Sequence, residues 1–282
     1  MIILSPSQRA VIDAFPGFLM DDEAKEMTIS GFAGSGKTFL VQYLADVGGK
    51  QQELVKLLDP GIPVKRMIFS ATTNKAADVL QSMLGKEVMT IHSTLGLAVR
   101  NDRKTGKVKL EKKTAGKSLV NTLLFIDEAS MINAELLTII REHAGNARGC
   151  KVIFIGDSYQ LPPVMEDVCP VFKPNEYTFF LTEIQRQVAD SPIIGLSAKY
   201  RDVLDDHTLS WPEIKNENHA ILYYEDKASF FAAIEHAYRL PHVPDEYRVL
   251  AWSNERVRDY NRWIRSFYGY KLPYEAEEVV VT

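Results

Sequence analysis

Residues 31–38 read Gly31-Phe32-Ala33-Gly34-Ser35-Gly36-Lys37-Thr38 and match the pattern G-x-x-x-x-G-K-[ST]. Residues of these types at this spacing bind phosphate. Gly31, Gly34, Ser35 and Gly36 let successive backbone N–H groups close round phosphate oxygens, and a helix starting near Lys37 adds its positive dipole end. Lys37 supplies a point charge to the β and γ phosphates of a nucleotide, and the Thr38 hydroxyl can ligate Mg²⁺. The alternative is a glycine-rich turn with a solvated lysine. The apolar run before the motif and the amphipathic pattern after it argue against that.

Two further groups carry chemistry. Asp127-Glu128 follows the apolar run Leu123 to Ile126. At the C-terminal edge of a parallel strand, one carboxylate can face a metal and the other can orient an attacking water. The competing role is an acidic pair favoured by a helix N-terminus. The loop Gly156-Asp157-Ser158-Tyr159-Gln160-Leu161-Pro162-Pro163-Val164 follows another apolar run. The Gln160 amide can donate to phosphate and accept from water, as a γ-phosphate sensor must. By residue chemistry alone, a structural turn with two prolines explains that loop equally well.

These groups need a scaffold, and the chain supplies one by alternation. Met27-Thr28-Ile29-Ser30 precedes the glycine-rich turn, and a helix is expected from about Lys37, with Leu40, Leu44 and Val47 on one face and an end at Gly48-Gly49. Met67 to Ala71 is a second strand, followed by Thr73 or Asn74 as N-cap of a helix through Leu84. Leu123 to Ile126 is a third, with Asn133 capping a helix that ends near Gly145, and Val152 to Gly156 is a fourth. The runs are continuously apolar, as parallel strands buried on both faces are. Strands are also expected at Ile221 to Tyr224 and Val249 to Trp252. Helices are expected from Lys227 to Leu240 and after a cap at Ser253 or Asn254, with Val257, Tyr260 and Ile264 on one face.

The chain has 282 residues, 46% hydrophobic and 25% charged, which excludes a disordered or low-complexity protein and implies about two domains. No apolar run reaches the roughly 20 residues that span a bilayer, and the first residues lack the basic region of a secretory signal. Cys150 and Cys169 are too few for a disulfide framework and read as reduced thiols of a cytoplasmic protein. Net charge is −4, which gives no bulk attraction to nucleic acid. Locally the balance reverses: Arg100, Arg103, Lys104, Lys107, Lys109, Lys112, Lys113 and Lys117 face only Asp102 and Glu111. Val108 and Leu110 alternate with Lys107 and Lys109, and Thr105-Gly106 suits a turn, so this stretch is a basic hairpin or a flexible charged loop.

In order and spacing, GFAGSGKT, ATTNKAA, TIHSTLG, FIDEASM, GDSYQLPPV and LTEIQRQ resemble the motif set of superfamily 1 DNA helicases, in particular the RecD/Dda-like branch. The resemblance runs over essentially the whole chain, and GDSYQLPPV is its most specific part. It implies an α/β fold: a P-loop NTPase, RecA-like parallel sheet with helices on both faces over residues 1–182, carrying a basic hairpin insertion at about 97–119. Residues 183–282 would be a linker and the start of a second RecA-like domain. It implies that Gln8 reads adenine, Lys37 and Thr38 hold phosphates and Mg²⁺, Asp127 binds the metal through water, and Glu128 is the base. Gln160 would couple the γ-phosphate to DNA, and Arg186 would be a γ-phosphate arginine. Thr73, Asn74, His92 and Ser93 resemble segments that touch the DNA backbone, and Arg103, Lys104, Lys107 and Lys109 belong to the hairpin that would meet the duplex fork. Phe32 and Thr72 stand where such proteins usually have proline, and the later motifs of the second domain are absent.

The expectation is an ATP-dependent helicase or translocase, or its N-terminal motor portion, using ATP and Mg²⁺. It would move 5′→3′ on single-stranded DNA, in the cytoplasm of a bacterium or of a phage-infected host, with a second chain or downstream segment as the candidate to complete it. Two alternatives stand beside it: a non-catalytic nucleotide- and DNA-binding fragment of a split or truncated helicase, and a P-loop ATPase acting on something other than DNA.

Overall fold

The four apolar runs form strands, and each is sandwiched between two layers of side chains. In the computed structural model, which describes residues 4–101, 108–112, 116–163, 166–183, 191–206, 208–217, 220–240 and 247–271, they are β1 (Glu26–Gly31), β2 (Arg66–Ala71), β6 (Thr122–Asp127) and β7 (Lys151–Gly156). β3 (Val88–Thr90) and β8 (Thr178–Leu181) complete a parallel six-stranded sheet of order β3-β2-β6-β7-β1-β8. Alternate residues face opposite layers. Leu123, Phe125, Ile153 and Ile155 pack with Phe15, Phe18, Leu40 and Leu44, whereas Leu124, Ile126, Val152 and Phe154 pack with Ile91, Leu95, Leu136 and Ile140. Both faces being apolar removes the period-2 pattern and leaves unbroken runs. The rings of Phe69 and Phe125 stack at 4.8 Å across neighbouring strands.

Helices α1 (Pro6–Met20), α2 (Lys37–Leu58) and α3 (Asn74–Leu84) contribute to the first layer, and α4 (Ile91–Leu95) and α5 (Ala134–Asn146) to the second. Thr73 and Asn133 are the N-caps expected, each accepting from a backbone N–H three residues on. α2 does not stop at Gly48-Gly49. Gly48 is buried, and a Cβ there would come within 2.6 Å of Met67 Cε, so the glycine admits a close helix–sheet contact instead of ending the helix.

The segment after α4 forms its own two-stranded antiparallel sheet, β4 (Leu97–Asn101) with β5 (Val108–Lys112). Its root is closed: Lys117 N–H donates to the Thr94 carbonyl at 2.8 Å, and a Cβ on Gly116 would meet the Leu95 carbonyl at 2.7 Å.

The chain divides into two compact units, residues 1–190 and 191–282. The second contains α6 (Pro192–Asp205), α7 (Lys227–Arg239) and α8 (Asn254–Phe267), the last capped by Ser253. Phe231 of α7 meets Trp263 of α8 edge-on at 4.7 Å. The strands expected at 221–224 and 249–252 do not form. Only an isolated bridge joins Glu217 to Ile221, and Leu250 and Trp252 are 90% and 94% exposed. A strand needs neighbours to complete its ladder, and among the described residues of this unit there are none.

Candidate functional site

β1 runs into the glycine-rich loop, and the loop runs directly into α2. Gly34 and Gly36 have φ of 80° and 84°, a region that costs a side chain free energy and costs glycine nothing. Gly36 is the N-cap of α2, so the loop delivers its N–H groups at a helix N-terminus. Lys37 Nζ donates to the carbonyl of Gly31 and, at 3.1 Å, to that of Phe32. Ser35 is 1% exposed, and among the described residues its hydroxyl has no hydrogen-bond partner.

Gln8 lies under this loop, with no exposed surface. Its Oε1 accepts from Ser5 N–H at 3.0 Å, completing a capping box on α1, and its amide nitrogen donates to the carbonyls of Ser35 and Gly36 at 3.4 and 3.5 Å. Glu183, two residues past β8, accepts from Ser5 Oγ at 3.2 Å and from the hydroxyl and N–H of Ser7. These serine contacts hold the Glu183 carboxyl below its ordinary range. One helix start is thereby fastened to the phosphate-binding loop and to the end of the sheet. The motif Ser5-Pro6-Ser7-Gln8 carries the S-x-x-Q signature of a capping box with proline at the first helical position. That signal was readable as a helix start, and α1 was missed without it.

Asp127 ends β6 and Glu128 follows it. Burial pushes the Asp127 carboxyl above its ordinary value, opposed by the bond from Glu128 N–H to Asp127 Oδ1 (2.9 Å) and by the nearby charge of Lys37. A carboxylate kept out of water is stabilised in its charged form by a nearby cation. The set of one carboxylate and one helix-start hydroxyl, Asp127 and Thr38, fits Mg²⁺, which keeps several waters and takes substrate phosphate oxygens. Glu128 adopts φ 54°, left-handed for a residue with a side chain. Thr72 braces it: its hydroxyl donates to the Glu128 carbonyl at 3.1 Å, and its N–H to the Asp127 carbonyl at 3.3 Å.

The loop after β7 is held at three points. Ser158 N–H donates to Ser30 Oγ (3.1 Å), Tyr159 N–H to Asp157 Oδ1 (3.0 Å), and the buried Ser130 hydroxyl to Gln160 Oε1 (2.7 Å). The last bond turns the Gln160 amide nitrogen away from Ser130 while the side chain stays exposed. Ser130 was not singled out from the sequence; a serine in FIDEASM has no spacing signal that pairs it with a glutamine thirty residues on.

Of the segments expected to meet DNA, Thr73 spends its hydroxyl capping α3 by accepting from Ala76 N–H, and Asn74 beside it is exposed. His92 is half-buried, which lowers its pKa, and Ser93 is exposed at the α4 start. The Thr90 hydroxyl both donates to Ser93 Oγ and accepts from its N–H. Lys109 lies on β5, paired in register with Arg100. Arg103, Lys104, Lys107 and Arg186 fall outside the described residues. Among the described residues no helix is long and apolar enough to cross a membrane.

A model of the AAA domain family matches residues 3–213. The chain is 26% identical over 257 residues to the ATP-dependent DNA helicase dda of Enterobacteria phage T4, covering 86% of this chain and 53% of that protein. It is 30% identical over 175 residues to the ATP-dependent DNA helicase Pif1 of Bdellovibrio bacteriovorus, covering 58% of this chain and 34% of that one. A crystal structure of Pif1 helicase from Candida albicans aligns with 93% of this chain and 54% of its own, at TM-score 0.47 and 22% identity. The chain spans about half the length, or less, of these relatives.

Proposed function

We propose that this chain, which belongs to the AAA domain family and is similar to the DNA helicases Dda, Pif1 and RecD2, is an ATP-hydrolysing DNA motor of superfamily 1, or the N-terminal portion of one. It moves 5′→3′ on single-stranded DNA and opens duplex at a fork. One observation carries the reading: Lys37 at the start of α2 after the β1 loop, Asp127-Glu128 at the end of β6 and Gln160 in the loop after β7 all stand at the C-terminal edge of one parallel sheet. Ligands of open α/β sheets bind at that edge.

In this reading the N–H groups of Gly31, Gly34, Ser35 and Gly36 cradle the phosphates and Lys37 neutralises them. Thr38 and Asp127 would hold Mg²⁺, which supplies further positive charge to the phosphates when bound. Glu128 takes the proton of the attacking water. Gln160 senses the γ-phosphate, and Arg186 adds charge to it. Gln8 reads adenine by exchanging its contacts with Ser35 and Gly36 for the base. Thr73, Asn74, His92 and Ser93 touch the DNA backbone, and Arg103, Lys104, Lys107 and Lys109 meet the fork. Residues 183–282 supply a linker and the opening part of a second RecA-like domain.

The test is ATP hydrolysis by the 282-residue chain, with and without single-stranded DNA, beside Lys37→Ala. DNA-stimulated hydrolysis that falls about 100-fold or more in the variant is expected, the scale of losing one preorganised charge-stabilising group. Hydrolysis retained by Lys37→Ala overturns the site. A second reading, a nucleotide- and DNA-binding fragment that does not turn over, draws on the second unit, whose described residues form three helices and one isolated bridge but no sheet. Tight nucleotide and DNA binding without hydrolysis would favour it.

A further inference from the structure

Thr72 is one residue beyond β2 and one residue before the cap of α3. β2 and β6 pair in parallel, with Ala71 opposite Asp127. Thr72 extends that ladder by one step, its N–H donating to the Asp127 carbonyl at 3.3 Å. Its hydroxyl then donates to the Glu128 carbonyl at 3.1 Å, an oxygen that also accepts from Met131 N–H at 3.2 Å. Both peptide carbonyls of the acidic pair are thus held by one threonine. The residue so held, Glu128, has φ 54°, and besides Asn121 it is the one described non-glycine residue with positive φ. Left-handed conformations of such residues persist only where neighbours over-determine them. Directly after Thr72 come Thr73, whose hydroxyl caps α3, and the exposed Asn74.

We propose that Thr72 is a positioning residue that ties the DNA-facing loop at Thr73-Asn74 to the backbone of Glu128, so that a strand gripped by the loop orients the carboxylate for hydrolysis. The proposal rests on the readings of Glu128 as base and of Thr73 and Asn74 as DNA contacts. Side-chain chemistry makes it specific to threonine or serine. Proline at 72 would lack both the N–H and the hydroxyl, and valine would keep the shape and the N–H but lose the hydroxyl.

The experiment compares the whole chain with Thr72→Val, Thr72→Ser and Thr72→Pro. Steady-state ATP hydrolysis is measured with and without a single-stranded oligothymidylate, together with affinity for that oligonucleotide and backbone hydrogen exchange. Thr72→Val should lose about tenfold of the DNA-stimulated kcat, the equivalent of roughly one hydrogen bond. KM for ATP and oligothymidylate affinity should not change, and Thr72→Ser should restore the rate. Thr72→Pro should lose at least as much as Thr72→Val. Amides of residues 129–132 should exchange faster in Thr72→Val than in Thr72→Ser. Full stimulation in Thr72→Val, a loss that serine does not rescue, or a loss matched by weaker oligothymidylate binding each overturns the proposal. If the unaltered chain does not hydrolyse ATP, it is the reading of the site that fails. Exchange then decides the tether alone: faster exchange at 129–132 in Thr72→Val supports it, and unchanged exchange removes it.

Discussion

Replacing Ser130 by alanine removes one of the three anchors of the Gln160 loop and leaves the other two, at Ser30 and Asp157, in place. Ser130 is 1% exposed, but the group it holds is an exposed amide that water can satisfy once freed. Folding stability should therefore fall by less than about 1 kcal/mol, because no buried partner is stranded. Catalysis should feel more. A freed glutamine side chain regains rotamer freedom worth up to about 2 kcal/mol, and in the proposed role of Gln160 only part of that must be repaid when the amide meets a γ-phosphate. About 1 kcal/mol of lost transition-state stabilisation is a five- to tenfold fall in kcat. Steady-state hydrolysis at saturating ATP and single-stranded DNA measures it, and thermal unfolding checks the stability. The decisive comparison is a cycle with Gln160→Ala. If Ser130 acts only through Gln160, the double variant is no slower than Gln160→Ala alone. Losses that multiply across the cycle would refute the reasoning, since Ser130 would then act on something else.

Lys151 lies buried with its ammonium 4.7 Å from the Phe18 ring centre, donating to the Asp21 and Ala24 carbonyls. Burial, helped by the charges of Lys65 and Lys25 and opposed by Asp21 and Asp22, pulls its pKa down to about 8 from 10.5. The folded state then releases this proton first, so stability rises with pH between about 8 and 10.5, by up to about 3 kcal/mol. Urea unfolding across that window should show a steeper rise in the natural chain than in Lys151→Met, where buried Lys65, its pKa also lowered, still contributes, and parallel curves would exclude it. Ser5→Ala removes the α1 cap and a bond to Glu183, and calorimetry should find a loss of about 1 kcal/mol, whereas an unchanged melting temperature would mean that the cap is dispensable. If about four phosphates are neutralised, log affinity for single-stranded DNA should fall against log salt with a slope near −3, and a flat titration would exclude a phosphate-dominated groove.

The parts legible in the sequence were those where a single physical demand dominates. β1, β2, β6 and β7 are buried on both faces, so apolar residues dominate them, and their runs announce themselves. Thr73 and Asn133 cap helices by local bonds, which sequence displays directly. The glycine-rich loop was legible because positive φ at Gly34 and Gly36 leaves little choice of residue. What was not legible depended on distant neighbours. Gly48 looks like a helix stop until Met67 is seen against it. Val249 to Trp252 has strand composition, yet a strand exists only when another lies alongside. The Ser130–Gln160 and Thr72–Glu128 bonds join segments far apart in the chain, and hydroxyls common enough to stand anywhere give no spacing to detect. For Gln8 the sequence offered a cap signature, and the structure adds that both ends of the amide are already engaged.

The closed root of the β4–β5 hairpin has an evolutionary and practical consequence. With Lys117 N–H bonded to the Thr94 carbonyl, the chain returns to within one hydrogen bond of where it left, and the six-stranded sheet takes no strand from the excursion. The part of the excursion beyond Leu95, Leu97 and Leu110, which pack on the core, is a cassette. It can be shortened to a turn, lengthened, or exchanged for another sequence while the body of the protein keeps its register. Diversity in what such a protein does at the far end of the cassette can therefore accumulate without disturbing the phosphate-binding edge, and a foreign hairpin tip grafted between Val99 and Leu110, which pair across the two strands, is the simplest way to exploit it.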